Sequence, residues 1–235
     1  MPRYYVNTEQ HKQHRSLKWA ELPPATTLER RHAAYLVSHG IDTKVFLKAD
    51  MATVYPCEEG ICFMLNGGER GQDMAYQTRL LPEQTLKDGR VLRWRNPEDC
   101  GLHHYVFAPW LTSSDFSFRS NAIYLVEGPT DALRLHLAGR YAIAVLGVGL
   151  TTDRIALVHH LISLIYRNTG TERSLQFIPD NDGPGVKLTR RMVLNFQCHV
   201  LRLNHDRKDV GCLTDEELTC LLNEEGRPRG QPELH

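Results

Sequence analysis

Short apolar runs alternate with polar turns in the second half of the chain, and two of these runs end in acidic residues. The run 123–126 is followed directly by Glu127, and the run 175–178 is followed by Asp180 and Asp182. Each acidic turn continues into a segment whose composition suits a helix. Strands that alternate with helices predict a parallel α/β sheet, with both acidic turns at the carboxyl ends of its strands.

The acidic residues near these turns predict a divalent metal site. Carboxylates that meet at one edge of a sheet repel one another unless a cation neutralises them. Oxygen-only ligands suit a hard ion such as Mg²⁺, or Mn²⁺ in its place. The predicted ligands at these turns are Glu127, Asp131, Asp180 and Asp182, and Asp209 is a further predicted ligand that the family resemblance described below implies.

Some of these acidic residues have alternative structural roles. Asp131 lies four residues after Glu127, and if a helix begins near Pro129, Asp131 could cap that helix or hold a metal-bound water. Asp209 could serve a second ion or be a turn aspartate. Asp-x-Asp-Gly alone is also typical of an Asx turn. An EF-hand is excluded because its twelfth position is Arg191 and not glutamate.

The acidic turns resemble the motifs of the Toprim domain, the metal-binding α/β module of bacterial-type primases, topoisomerases and some nucleases. Four matching elements occur in order over residues 120–212. They are Glu127-Gly128-x-x-Asp131-Ala132, the strand and glycine turn of 142–151, Asp180-x-Asp182-x-x-Gly185, and Lys208-Asp209 after an apolar run. The resemblance implies an α/β fold with a mostly parallel sheet flanked by helices, in which Glu127, Asp180 and Asp182 are catalytic.

The first half of the chain has the pattern of a small mixed α+β subdomain. Residues 26–39 predict a helix that Thr26 or Thr27 caps, with Glu29 in its first turn and Gly40 at its end. Four further runs rich in apolar and β-branched residues predict strands, and they lie at 53–56, 61–65, 75–80 and 91–97.

This half resembles the subdomain that precedes the Toprim domain in the catalytic core of bacterial and phage DnaG-type primases. Segment 34–41 is similar to that core's opening helix, Arg79 stands near the end of a strand, and 93–96 is a basic-aromatic strand that leads to proline. A zinc ribbon and a helicase domain are expected to be absent. The implied organisation is an N-terminal arm (1–25), a primase-like subdomain (26–119), a Toprim domain (120–212) and a C-terminal helix with an acidic tail (213–235).

Composition limits how the chain can bind its partners. The 235 residues carry 28 basic and 28 acidic side chains, so binding to nucleic acid must come from local patches.

Six cysteines form no CxxC pair and predict reduced, mostly buried thiols rather than a zinc site. No apolar run approaches the ~20 residues of a membrane span, and the first residues lack the apolar core of a signal peptide. A cytoplasmic protein is therefore expected.

Basic and aromatic residues outside the acidic turns predict contacts to nucleotide or nucleic acid. Guanidinium groups bind phosphates with fork-shaped donors, and an indole ring stacks on bases. The predicted set is Arg79, Arg93, Trp94, Arg95, Lys187 and Lys208. Alternatives stay open, because Trp94 could face a core, Lys208 could stay in solvent, and the basic run 187–208 could be a solvated face.

The primase resemblance implies metal-dependent RNA primer synthesis on single-stranded DNA, by nucleotidyl transfer from nucleoside triphosphates in DNA replication. Phosphoryl transfer needs charge neutralisation and in-line positioning, which two ions about 3.5 to 4 Å apart can provide. The alternatives are a nuclease that uses the same acids and a non-catalytic Toprim protein that binds nucleic acid or a replication partner. A separate replicative helicase or template-recognition protein is an expected partner, and a phage or other mobile element is an expected source.

Overall fold

A computed structural model describes residues 17, 22–49, 53–68, 73–98, 100–112, 118, 120–147 and 149–223. Most of the predicted N-terminal arm, and the predicted acidic tail after residue 223, lie outside these ranges. Within the described ranges, the chain forms six α-helices and two four-stranded sheets, the first antiparallel and the second parallel. The predicted mixed α/β fold is confirmed.

The antiparallel sheet lies in the N-terminal half and has the strand order β1-β2-β3-β4. Its strands are β1 (Val54–Cys57), β2 (Gly60–Gly67), β3 (Asp73–Thr85) and β4 (Val91–Arg95). Two helices precede them, α1 (Arg30–Ser38) and α2 (Thr43–Lys48). All four predicted strands are therefore present, and β3 is longer than its apolar run predicted because it continues into an exposed hairpin with β4.

Strand β2 anchors this sheet to the core. Ile61, Phe63 and Leu65 alternate along it and are buried in the main apolar cluster, as expected for one face of a strand. The turn before it requires glycine. Gly60 has a φ of 153°, and a Cβ atom there would overlap the carbonyl oxygen of Arg79 on β3.

Helix α1 begins later than the sequence pattern predicted. The predicted cap at Thr26 or Thr27 is wrong, because the helix begins at Arg30 and Glu29 is its N-cap residue. The residues before it pair with β1, and the Thr26 N–H donates to the carbonyl of Pro56 (2.8 Å). Pairing with a strand that is distant in sequence has overridden the local capping signal.

The parallel sheet lies in the C-terminal half and has the strand order β6-β5-β7-β8. Its strands are β5 (Ala122–Val126), β6 (Tyr141–Ala144), β7 (Ser174–Ile178) and β8 (His199–Val200). Its helices are α3 (Pro129–Leu137), α4 (Thr152–Thr169) and α5 (Gly183–Phe196), and α6 (Asp215–Asn223) follows the sheet. Strand β5 is buried along its whole length, which explains its continuous apolar run. The predicted parallel sheet flanked by helices is confirmed.

The main-chain segment 106–107 joins the two sheets. Asn66 on β2 and Val106 exchange two hydrogen bonds (2.8 and 2.9 Å), and Phe107 exchanges two more with Ala144 on β6 (3.0 and 2.8 Å). The main apolar cluster contains residues from both sheets. The predicted division of the chain at residues 119 and 120 stays a prediction.

The six cysteines are free thiols, as predicted. Four are buried and two are exposed; the buried ones are Cys57, Cys62, Cys100 and Cys198, and the exposed ones are Cys212 and Cys220. Burial raises the pKa of each buried thiol because the thiolate would lose its hydration. Among the described residues, no helix is both long enough and apolar enough to span a membrane.

Candidate functional site

The two acidic turns meet at the carboxyl edge of the parallel sheet. Glu127 follows β5 directly, and Asp180 and Asp182 lie two and four residues after the end of β7. Strands β5 and β7 are adjacent and parallel, with Val126 opposite Ile178, so the loops that follow them share this edge. The structure thus brings together the residues predicted to be catalytic, at the edge where open α/β sheets bind ligands.

Glu127 and Asp180 are joined directly. The Asp180 N–H donates to Oε1 of Glu127 (3.1 Å), and the Glu127 side chain is buried. Gly185 makes this approach possible, because a Cβ atom there would overlap the Asp180 carbonyl oxygen and lie 2.9 Å from Oε1 of Glu127. Close packing therefore requires the glycine that ends the Asp-x-Asp-x-x-Gly motif.

Asp182 lies at the exposed rim of the site and caps helix α5. Its Oδ1 accepts the N–H of Gly185 (2.8 Å), as a typical N-cap aspartate does. The first turn of α5 therefore packs beside Glu127, and the positive end of the helix dipole favours negatively charged groups here. Such a helix start suits both acidic side chains and a phosphate-bearing ligand.

Asp131 and Asp209 both accept hydrogen bonds from the same short turn. Asp131 lies in the first turn of α3 and is buried, and its Oδ1 accepts the N–H of Gly211 (2.9 Å). Gly211 belongs to the 3₁₀ turn Val210–Cys212, which Asp209 caps by accepting the Cys212 N–H (3.0 Å). Asp131 does not cap its own helix, so the capping alternative is wrong. Asp209 does cap a turn, and an ion-binding role for either residue stays a prediction.

The carboxylates raise one another's pKa values. Burial, with the charges of Asp209 and Asp180, raises the pKa of Asp131 well above its usual value. Burial and the charges of Glu127, Asp209 and Asp182 raise the pKa of Asp180 to about 7. Burial is also the main cause of the raised pKa of Glu127. The raised pKa values indicate that too little positive charge surrounds these acids to stabilise their ionised forms. A bound cation would supply that charge.

These residues fit Mg²⁺ or Mn²⁺ by the chemistry of their donor atoms. Among the residues that the structure describes, no three His, Cys, Asp or Glu side chains lie close enough together to hold an ion in their present positions. Magnesium, however, keeps several waters and commonly uses one or two carboxylates together with substrate phosphates. Glu127, Asp180 and Asp182 offer carboxylate oxygens, the donor type that this ion prefers.

The raised pKa of Asp180 predicts a pH-dependent stability. In the folded protein Asp180 holds a proton up to about pH 7, whereas in the unfolded chain it releases that proton near 3.8. Between these two pH values the folded state therefore binds more protons than the unfolded state does. The stabilisation that the bound proton contributes to the free energy of unfolding is lost as the pH rises from about 4 to about 7.

Asp180→Asn removes that contribution, so we expect its free energy of unfolding to fall less with pH than that of the wild type. Urea denaturation in EDTA at several pH values between about 4 and 8 measures the difference. Asp206→Asn changes an exposed aspartate on a nearby loop and is the matched control. Parallel pH profiles for the wild type and Asp180→Asn would show that the Asp180 pKa is not raised.

Arg79 is a packed residue of the antiparallel sheet. Its side chain is only 12% exposed, and its Cζ lies 5.2 Å from the ring centre of Tyr35 and 5.9 Å from that of Trp94. The guanidinium donates to the carbonyl of Arg93 (3.0 Å) and to the carboxylate of Glu83. Arg79 therefore fixes the strand that carries Arg93.

The other predicted binding residues of this sheet differ in exposure. Trp94 is half-buried and packs 5.6 Å from the ring of Phe63, which agrees with its core-facing alternative. Arg95 pairs with Glu59. Arg93 is 59% exposed, with its Nε 3.5 Å from Glu83. Arg93 is thus the arginine of this set that is most accessible to a ligand.

The basic run 187–208 is not one continuous surface. Arg191 donates to the carbonyl of Leu150, and Arg207 pairs with Glu217 on α6 (2.8 Å). Lys187 is exposed on α5, and Lys208 is exposed beside the acids, where its charge opposes the rise in the pKa of Asp180. The two predicted lysines therefore stay available to ligands.

A contact that the sequence did not predict links the N-terminal half of the chain to the acidic site. The hydroxyl of Tyr35 on α1, whose ring lies beneath Arg79, forms a buried hydrogen bond with Oγ1 of Thr130 (2.7 Å). Thr130 precedes Asp131 in the first turn of α3, directly after Glu127 and its glycine. The N-terminal half thus contacts the helix that begins at the acids.

Neither a protein-family model nor a curated protein matches this sequence. Two solved structures of the RNA polymerase domain of the Mycobacterium tuberculosis primase DnaG are similar to it. The first has a TM-score of 0.55 at 16% identity, over 82% of this chain and 75% of that one. The second, in complex with double-stranded DNA, has a TM-score of 0.54 at 16% identity, over 83% and 73%. At this identity the likeness shows the fold.

Proposed function

We propose that this protein is a primase-type nucleotidyltransferase that joins ribonucleotides on single-stranded DNA. One observation supports this most directly: acidic residues gather at the carboxyl edge of a parallel sheet, and helix α1 of the N-terminal half contacts the helix that begins there. The shared fold with a primase RNA polymerase domain supports the same assignment. In this proposal, residues 120–212 form a Toprim domain and residues 26–119 form the primase-like subdomain.

Glu127, Asp180 and Asp182 would hold the catalytic Mg²⁺ or Mn²⁺, with Asp131 and Asp209 close to them. The bound ion supplies neutralisation of phosphate charge and polarisation of the attacking hydroxyl. The protein itself keeps the ligands in place. The Glu127–Asp180 hydrogen bond and the close contact at Gly185 hold the two acidic turns together.

The reaction would join the 3′-oxygen of a growing primer to the α-phosphorus of a nucleoside triphosphate, and pyrophosphate would leave. Such a transfer depends on positioning and on stabilisation of charge. Arg93 and Lys208 are exposed cations that would bind triphosphate or template phosphates. Lys187 on α5, with Arg79, Trp94 and Arg95 as supporting residues, completes the predicted set.

The partners in this proposal are single-stranded DNA and nucleoside triphosphates. One of the similar structures was solved with double-stranded DNA, which supports DNA as a ligand of this fold. With no net charge, the protein would need the local cations named above for that contact. A separate helicase or template-recognition partner and a cytoplasmic location belong to the same proposal.

Replacing the exposed arginine of the antiparallel sheet tests this binding surface. Arg93→Ala is expected to weaken binding of a labelled triphosphate or of single-stranded DNA, and to reduce the salt dependence of DNA binding by about one charge. Arg79→Ala should weaken the same binding, because Arg79 holds the strand that carries Arg93, and it should also lower thermal stability, because its guanidinium packs against two rings. Fluorescence anisotropy at several salt concentrations measures both affinities.

Arg90→Ala is the matched control, because it removes the same charge from a 77% exposed residue in the turn that joins β3 to β4. Affinity for divalent ions should be unchanged in all three variants. If Arg93→Ala and Arg90→Ala bind triphosphate equally well, Arg93 has no role in the binding surface. Wild-type protein that cleaves DNA but does not bind triphosphates would instead favour the nuclease alternative, which needs no triphosphate site.

A further inference from the structure

Asn181, the residue between the two aspartates of the second acidic turn, binds the neighbouring loop. Its main-chain N–H donates to the carbonyl of Lys208 (2.7 Å). Its side-chain Nδ2 donates to the carbonyls of Asn204 (2.8 Å) and Arg207 (2.7 Å). One residue thus makes three hydrogen bonds to the loop 204–208, which lies more than 20 residues away in the sequence.

This loop leads directly into the remaining part of the acidic site. Lys208 is followed by Asp209, which caps the 3₁₀ turn Val210–Cys212. Asp131 accepts a hydrogen bond from that turn. Because the Lys208 carbonyl is held by the peptide unit between the two aspartates, Asn181 fixes the distance between the acidic turn and the loop that carries Lys208.

The same loop is held to helix α6 by a different contact. Arg207 donates two hydrogen bonds from Nε and Nη2 to Oε1 of Glu217 (2.9 and 2.8 Å). Helix α6 carries none of the acids of the site, so this contact stabilises the loop without joining it to the acidic turn. The two contacts can be removed separately.

We propose that Asn181 is a positioning residue, which sets Lys208 and Asp209 relative to Asp180 and Asp182 and so supports the binding of a divalent ion and of the triphosphate. This inference rests on the proposed function. An amide suits the task because its N–H groups can satisfy two carbonyl oxygens at once. A carboxylate at this position would face the same carbonyls with oxygens and add a negative charge to the site.

Asn181→Ala tests the proposal, because it keeps the main-chain donor and removes the amide. We expect about a tenfold loss of Mn²⁺ affinity in calorimetry and about a tenfold rise in KM for the triphosphate, the size typical of changes to residues that orient metal ligands. The effect on kcat should be smaller. Asn181→Ser retains one donor and should recover part of the affinity.

Arg207→Ala is the control for general loosening of the loop. It should lower thermal stability at least as much as Asn181→Ala while leaving Mn²⁺ affinity near that of the wild type. Wild-type Mn²⁺ affinity in Asn181→Ala, an equal loss of affinity in Arg207→Ala, or no Mn²⁺ binding by the wild type would each overturn the proposal. A wild type that binds Mn²⁺ but makes no primers would overturn the proposed function, while the calorimetry would still decide the role of Asn181.

Discussion

Glu127→Gln is expected to reduce primer synthesis by about a hundredfold or more while the protein stays folded. A change that only disturbs the surroundings of a metal ligand costs about 10- to 100-fold, so the loss of a ligand's charge should cost at least the upper end of that range. Glutamine keeps the shape of the side chain and an oxygen that can accept the Asp180 N–H. Because burial already disfavours the Glu127 carboxylate, removal of its charge should not lower thermal stability.

Synthesis rates and melting temperatures, measured side by side with Glu172→Gln, test this expectation. Glu172 is an exposed glutamate in the same half of the chain, so it controls for the loss of one negative charge. Full synthesis by a correctly folded Glu127→Gln protein would exclude this residue from the mechanism. A loss of synthesis together with a collapse in stability would instead make it a structural residue.

The double substitution Asp180→Asn and Asp182→Asn is expected to weaken Mg²⁺ or Mn²⁺ binding by about a hundredfold or more, for the same reason. Asparagine at 182 can still cap α5, since asparagine and aspartate are similarly good N-cap residues. Asp180 is surrounded by other acids, so the variant should be more stable than the wild type in the absence of metal.

Calorimetric titration with Mn²⁺ and thermal denaturation in EDTA measure the two effects. Asp206→Asn, on the exposed loop nearby, should bind the ion as the wild type does. Unchanged ion affinity in the double variant would refute the proposed site, and a loss of stability in EDTA would contradict the account of repulsion among the acids.

The position of the acidic turns could be predicted from sequence because it depends on local signals. An apolar run followed by carboxylates and glycine indicates the end of a buried strand, and the alternation with helices predicts a parallel sheet. Those two facts place Glu127 and Asp180 at one edge, where the structure has them. The requirement for Gly185 has the same origin, because its neighbours belong to these turns.

The contacts between distant segments could not be predicted in the same way. The local sequence around Asn181 is typical of an Asx turn. Nothing near it in sequence indicates that its side chain donates to the carbonyls of Asn204 and Arg207. Arg134 likewise has no local sequence signal for its role, in which its buried guanidinium donates to the carbonyl of Val210 and holds the 3₁₀ turn to α3. Arg79 could be assigned to a strand, but its packing against the rings of Tyr35 and Trp94 depends on the fold.

Electrostatic properties of the site also depend on tertiary structure. Aspartates in a loop are ordinarily ionised at neutral pH, and the sequence gives no measure of their burial. The raised pKa of Asp180 arises because the folded chain buries it and places Glu127, Asp209 and Asp182 around it. The need of these acids for a cation stays a prediction, and the fold adds the burial and the neighbouring charges that raise the pKa of Asp180.

The most direct test of the proposed function is an assay of the wild-type protein with single-stranded DNA, labelled ribonucleoside triphosphates and Mg²⁺ or Mn²⁺. The DNA should carry a second label, so that denaturing electrophoresis separates newly made RNA from cut DNA. We expect short labelled RNA products that depend on both the template and the ion, disappear in EDTA and are absent with Glu127→Gln. Cleavage of the DNA without incorporation of ribonucleotides, or neither product from protein that binds the ion, would contradict the assignment as a primase-type nucleotidyltransferase.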